Sequence, residues 1–272
     1  MIDIRQSKNY GKYMESLGWI VEGGAFIKKL WFTSIVKIQR PSVINLETIK
    51  KYHPFLIKLE PNTNSKFKIQ NSKFHKDNWP LIPSKTIILD LKNINLPKDT
   101  RYEIRKAEKN GVLLKSKSLE TFIKSWHQHA RQKGFWVPLH KEIRNLAAAF
   151  GKDCFLFMTE GAGALVLKNG QTANYMYAFS TPEGRKVSAP YLVMWEIIKF
   201  CQSKKLKYLD LEGIYDERYP DSTKNWQGFT KFKMGWGGKI VTYPGSWTKY
   251  FLFSNIFPVF KGVRLEKSYE FL

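Results

Sequence analysis

Acidic residues and lysines cluster beside glycines in the last third of the chain, in Leu209-Asp210-Leu211-Glu212-Gly213 and in Phe229-Thr230-Lys231-Phe232-Lys233-Met234-Gly235-Trp236-Gly237-Gly238-Lys239. Read as extended backbone, the second stretch puts Phe229, Lys231 and Lys233 on one side and Thr230, Phe232 and Met234 on the other. The apolar set can then be buried while the two lysines point at a common target, where an ammonium group stabilises developing negative charge. The plain alternative is a half-solvated strand that ends in a hairpin. A second basic group, Arg101, Arg105, Lys106 and Lys109, falls at helical spacing with Ile104 and Ala107 on the inward side. It reads either as a rim for RNA or phosphate or as a solvated face paired with Glu103 and Glu108. Tyr175 and Tyr177 alternate toward one face of a strand, where they could line a substrate groove or pack across strands.

Other chemistries find little support. His127 and His129 are two apart on a helix and cannot face one metal ion. His53, His75 and His140 have no serine or cysteine partner in a nucleophile elbow. Gly161-Ala162-Gly163 lies between strands rather than before a helix, so it reads as a hairpin and not a dinucleotide turn. Cys154 and Cys201 suggest neither a disulfide scaffold nor a zinc site, and a reducing cytosol fits them.

The 45 Lys+Arg against 23 Asp+Glu give a formal charge of +22, a field that concentrates polyanions such as RNA, anionic headgroups or diphosphates. A lysine-rich genome is the competing explanation. At 272 residues, 43% of them hydrophobic, the chain can build one large domain or two small ones. No secretion leader or spanning segment is expected. The apolar Tyr250 to Phe260 stretch, broken by Ser254-Asn255 and Pro258 and flanked by Lys249, Lys261, Arg264 and Lys267, could lie on an anionic membrane surface or dock on the core. The expected location is cytoplasmic, with the inner face of the membrane open to it.

The patterning predicts an α+β chain. The first half reads as a helix near Ser7 to Leu17, strands at Trp19 to Glu22, Phe26 to Phe32 and Ser34 to Gln39, a helix at Leu46 to Tyr52 and a strand at Phe55 to Glu60. A polar, turn-rich stretch from Asn62 to Ser84 then marks a boundary, giving a first domain at 1–84 and a second at 85–246. The second half reads as strand Thr86 to Leu91, a helix from Lys98 closed by Gly111, strand Val112 to Lys115, a helix capped by Ser118 and another from Lys141 to Phe150. A meander of Phe155 to Thr159, Ala164 to Leu167 and Thr172 to Phe179 follows, then a long helix with Pro190 in its first turn and strand Tyr208 to Leu211. Three antiparallel strands, a helix, a strand and then a further strand in that order are the pattern of an acyltransferase domain.

Several blocks then resemble, in order, the FemABX family of bacterial peptidyltransferases: Phe55 to Asn62, Thr86 to Leu91, Arg101 to Val112, Gly134-Phe135, Asn174 to Ser180, Ala189 to Glu196, Asp210 to Ile214 and Phe232 to Gly238. The resemblance implies two GNAT-like acyltransferase domains packed side by side with no coiled-coil arm, the final segment, 247–272, returning to the first. It implies transfer of an amino acid from aminoacyl-tRNA, as co-substrate and without a cofactor or metal, to the side-chain amine of a peptidoglycan precursor, lipid-linked or UDP-linked. Lys233 would sit by the reacting ester and Glu60 near the acceptor. Lys12, Arg101, Arg105, Tyr175, Tyr177, Asp210, Glu212, Trp226 and Lys231 are the candidate substrate contacts. The basic residue that the family carries after Gly-Phe has only His140 as a substitute, and Lys12 is the candidate for its N-terminal phosphate-binding lysine. The alternatives are a CoA-dependent N-acyltransferase and a non-catalytic RNA- or envelope-binding scaffold. Against the first, Arg185-Lys186-Val187-Ser188-Ala189-Pro190 lacks both glycines of a pyrophosphate loop.

Overall fold

The computed structural model describes residues 2–63, 73–134 and 138–251. Phe135, Trp136, Val137, most of the late apolar segment and part of the turn-rich stretch before Ser84 therefore lie outside the described residues. The helices are α1 (Lys8–Ser16), α2 (Leu46–Lys50), α3 (Lys98–Lys109), α4 (Leu119–Gln132), α5 (His140–Phe150), α6 (Pro182–Lys186), α7 (Ala189–Ser203), α8 (Pro220–Thr223) and α9 (Gln227–Met234). The strands are β1 (Ile20–Glu22), β2 (Ala25–Leu30), β3 (Thr33–Gln39), β4 (Pro54–Glu60), β5 (His75–Asp77), β6 (Lys85–Asp90), β7 (Cys154–Met158), β8 (Ala162–Asn169), β9 (Thr172–Ser180), β10 (Tyr208–Gly213), β11 (Lys239–Thr242) and β12 (Ser246–Tyr250).

The chain forms two compact α+β units, each built on a six-stranded sheet. In the smaller, residues 18–82 with the chain from Tyr243, the strand order is β1-β2-β3-β4-β12-β5. Its one parallel pair, β3 with β4, is joined through α2, as a crossover requires. Alternation along these strands buries Ala25, Ile27, Val36, Ile38, Ile57 and Leu59 against Ile49 of α2.

The larger unit, residues 1–17 and 83–242, has the order β11-β6-β10-β9-β8-β7. Only β9 and β10 run parallel, with α7 as the crossover between them. Pro190 stands in the first turn of α7, where no intrahelical bond is lost. One face of this sheet packs Ala164, Val166, Leu209 and Leu211 against Val193, Ile197 and Ile198 of α7. Ser7 and Ser118 cap α1 and α4 by accepting the amides of Tyr10 and Thr121. Among the described residues no helix exceeds α7 in length, and none is long and apolar enough to cross a membrane.

Three expectations change. Residues 2–17 belong with the second half: Ile4, Tyr13 and Met14 are buried in the larger unit and Arg5 reaches β10. Sequence adjacency had grouped them with the strands that follow. Val112 to Lys115 makes no strand ladder and contributes one β-type bond, Lys115 N to Met158 O at 2.7 Å. The stretch read as a strand from Phe229 to Met234 is helix α9. Its Phe229, Phe232 and Lys233 fall at i, i+3 and i+4, a helical stripe that the alternation of lysines masks.

Candidate functional site

The parallel strands β9 and β10 pair only from Thr172 to Asn174 and from Tyr208 to Asp210, although β9 continues to Ser180 and β10 to Gly213. Beyond Asn174 the two strands separate, and open α/β sheets bind ligands beyond the carboxyl ends of such strands. On its other edge β10 carries a bulge against β6 between Asp210 and Gly213. Within it Glu212 adopts φ 57°, a left-handed conformation that costs a non-glycine residue about 1–3 kcal/mol.

Buried polar bonds hold that strained residue. Glu212 Oε2 accepts from Arg5 Nη2 at 2.7 Å, and Oε1 accepts from Arg5 Nη1 at 3.3 Å and Asn174 Nδ2 at 3.0 Å. Asp210 Oδ1 accepts the Glu212 amide at 2.8 Å and the Thr86 hydroxyl. From α9, Lys233 enters the same place and donates from Nζ to the Gly213 carbonyl at 2.6 Å, with the Phe229 and Tyr175 rings 4.7 and 6.0 Å from its ammonium. Two carboxyl groups and two cations thus meet out of water at the point where the strands part, all of them buried.

The electrostatics follow from burial. Desolvation pushes Lys233 down to about 8, against the opposing pull of Glu212 and Asp210. Burial would raise Glu212, but Arg5, Asn174 and Lys233 together hold it below the ordinary carboxylate value. For Asp210 burial outweighs the downward pull of the Thr86 hydroxyl, the Glu212 amide and Arg5. Burial and the neighbouring Glu212 charge push it up to about 7. Protonated Asp210 therefore favours the fold, a contribution that is full below about pH 4 and is lost as pH rises through about 7. Asp210→Asn can keep both accepted bonds, and it is expected to flatten the stability decline between pH 4 and 7. Urea midpoints at the two ends of that range measure it.

Gly213 is required by space. A Cβ there would lie 2.6 Å from Trp226 Cζ3 and 3.1 Å from Pro83 Cγ. Trp226 therefore packs on the Cα side of Gly213, with Phe229 5.8 Å away ring to ring. Gly213→Ala is expected to cost about 1–3 kcal/mol in urea unfolding, because the overpacked ring must move.

Of the residues anticipated from sequence, Lys233, Asp210, Glu212, Tyr175 and Trp226 come together here. Lys231 does not share a face with Lys233: two residues on a helix turn the side chain to the far side, and Lys231 is exposed while Lys233 is buried. Tyr175 and Tyr177 also part company. A bulge in β9 sets Leu165 opposite Tyr177 and Val166 opposite Tyr175, so the rings take opposite faces of the sheet. Tyr175 lies in the α7-facing core, whereas Tyr177 packs 4.8 Å from Trp126 of α4. Arg101 and Arg105 are exposed on α3, with Ile104 and Ala107 buried beneath, and Lys12 is exposed on α1. Glu60 lies in the smaller unit, buried, its Oε1 accepting the amides of Leu81 and Ile82 at 2.7 and 3.0 Å. Burial raises its carboxyl despite Arg40, those amides and Lys58.

Arg5, Asn174 and Thr86 were not among the anticipated site residues. Asn174 opens the Asn174-Tyr175-Met176 block, and its place in an apolar strand was a usable signal. Arg5 lies 207 residues from its partner and carried none.

Comparison with known proteins bears on the family and the fold of the chain. The FemAB family model matches residues 141–252, which span the Lys233 helix and β10, and the resemblance read from the ordered sequence blocks holds. A crystal structure of FemX superposes with a TM-score of 0.72 at 16% identity, covering 92% of each chain. The C-terminal domain of a putative lysylphosphatidylglycerol synthetase from Agrobacterium fabrum gives 0.54 at 11% identity, over 91% of this chain and 88% of that one. L-PGS from Bacillus licheniformis gives 0.52 at 10% identity, over 83% and 80%. The likeness to the FemX structure is one of fold and extends over 92% of the chain. Comparison with curated protein sequences gives no match.

Proposed function

We propose that the chain is an aminoacyltransferase that moves an amino acid from aminoacyl-tRNA to the side-chain amine of a peptidoglycan-precursor stem peptide, with Lys233 as its electrostatic catalyst. The observation that carries this reading is a desolvated ammonium at the mouth of the parted strands, in the segment matched by the FemAB family. The donor is already an activated ester. A neutral amine attacks the carbonyl carbon, a C–N bond forms, the ester C–O bond breaks, and the proton lost by the amine ends on the released ribose hydroxyl. Alignment contributes about 7–11 kcal/mol to such a step. Lys233, fixed at the Gly213 carbonyl and balanced by Glu212, can turn its remaining N–H groups to the oxyanion. Glu60 is assigned to the acceptor side, as the resemblance implies, and the exposed arginines of α3 to the polyanionic donor.

The CoA-dependent alternative is disfavoured by the approach to α7. Where a diphosphate would need free amides and open space, α6 intervenes and Ser188 donates its hydroxyl to the Glu103 carboxylate, a negative group at the helix entrance. CoA is accordingly expected to leave the melting temperature unchanged.

The direct test incubates the protein with a mixed pool of charged tRNAs and a precursor bearing lysine or a diamino acid. Mass spectrometry should find an RNase-sensitive gain of one aminoacyl group. No gain with any donor, alongside RNA binding, would favour the non-catalytic scaffold instead.

A further inference from the structure

The β2–β3 hairpin of the smaller unit ends in a two-residue turn, Trp31-Phe32, between the paired Leu30 and Thr33. Trp31 sits at φ 41°, where short hairpin turns favour glycine or asparagine and a bulky side chain is an outlier. Its side chain is 100% exposed, and Phe32 is 66% and Leu30 37% exposed. The backbone would be better served by glycine, and no core gains from an indole that meets only water. A strained, exposed aromatic tip of this kind points to contact outside the chain.

The surroundings of the tip indicate what it contacts. Lys28 and Lys29 precede it on β2. The end of α2 is tied to the hairpin base, with Thr33 Oγ1 and Ser34 N donating to the His53 carbonyl at 2.7 and 3.3 Å, and Lys50 and Lys51 lie three and two residues before that carbonyl. Glu47 and Glu22 bridge Lys50 and Lys51 at 2.7 and 2.5 Å and offset those two charges, so Lys28 and Lys29 on β2 carry the basic character behind the tip. The cation of Lys29 lies over the Tyr52 ring, 5.7 Å from its centre. Aromatic rings at a tip with ammonium groups behind them match the two layers of a bilayer surface, the acyl boundary and the phosphate plane. A stable protein interface needs about 800 Å² per partner, far more than a two-residue tip presents.

We propose that the Trp31-Phe32 turn is an interfacial anchor that seats the smaller unit on an anionic lipid bilayer. This goes beyond the transfer reaction and does not depend on it. The whole chain carries enough positive charge to adsorb to anionic vesicles by itself, so the test must separate insertion from attraction. Flotation with phosphatidylcholine vesicles containing about 30% phosphatidylglycerol, run at low salt and at about 1 M salt, where the Debye length is about 3 Å, does so. At high salt the wild type should stay bound, and Trp31→Ser/Phe32→Ser should lose about tenfold or more in partitioning, the contribution of two inserted rings. Trp31→Gly should lose binding as well while melting at the same or a higher temperature, since glycine suits the left-handed turn. Equal flotation of wild type and double variant at high salt overturns the proposal. So does a Trp31→Gly protein that melts lower, or a lipid-free wild-type dimer that the double variant dissolves.

Discussion

Lys233→Met is expected to lower the rate of aminoacyl transfer about 100- to 1000-fold, the contribution of one preorganised donor to a developing oxyanion, while the protein keeps its fold. Methionine approximates the length of the lysine stem and leaves the Phe229 and Tyr175 rings their apolar neighbour. It removes the ammonium that burial makes costly but leaves the Gly213 carbonyl without its donor, so a stability loss of about 1–3 kcal/mol is expected. Single-turnover rates together with urea unfolding separate the two effects. A variant that folds normally and transfers at the wild-type rate would place the chemistry elsewhere.

Arg5→Met is expected to be the most destabilising single change in the site, costing about 3–5 kcal/mol, because it strands a buried carboxylate. Glu212 would keep Asn174 and Lys233 but lose two guanidinium bonds, and it already sits in a strained backbone conformation. Glu212→Gln removes the charge that needs compensation, so the double variant should be less damaged than the sum of the two singles. Urea unfolding of all four proteins gives the coupling. Glu212 also has a pH signature. Its carboxyl is held below the ordinary value, so its contribution is present above about pH 4.3 and is lost as pH falls through the lower folded value. That acid sensitivity should disappear in Glu212→Gln.

Much of this architecture was legible in the chain. Gly170 in the two-residue turn between β8 and β9, the proline in the first turn of α7 and the serine caps of α1 and α4 are local signals, and each sits where its chemistry places it. The site was legible in outline: the Asp210-Leu211-Glu212-Gly213 strand and Lys233 do meet. Features set by more than one element were not legible. Alternating lysines imitated a strand in α9, whose helical stripe includes a charged residue, Lys233, that is buried only because β10 offers a carbonyl and a carboxylate. The bulge that separates Tyr175 from Tyr177 depends on pairing with β8, which no local pattern encodes. Arg5 was invisible for the same reason, since its partner is supplied by the fold from the far end of the sequence.

The pH dependence of the transfer rate tests the role of Lys233 most directly. The acceptor must be a neutral amine, with an ordinary pKa of about 10.4, so its reactive fraction grows about tenfold per unit through neutral pH. The catalytic ammonium disappears above about 8. Corrected for spontaneous ester hydrolysis, the single-turnover rate should therefore climb to about pH 8 and then level off. A rate that goes on rising tenfold per unit to pH ~9.5, still short of the ordinary amine pKa, would show that the charge on Lys233 plays no part in the reaction.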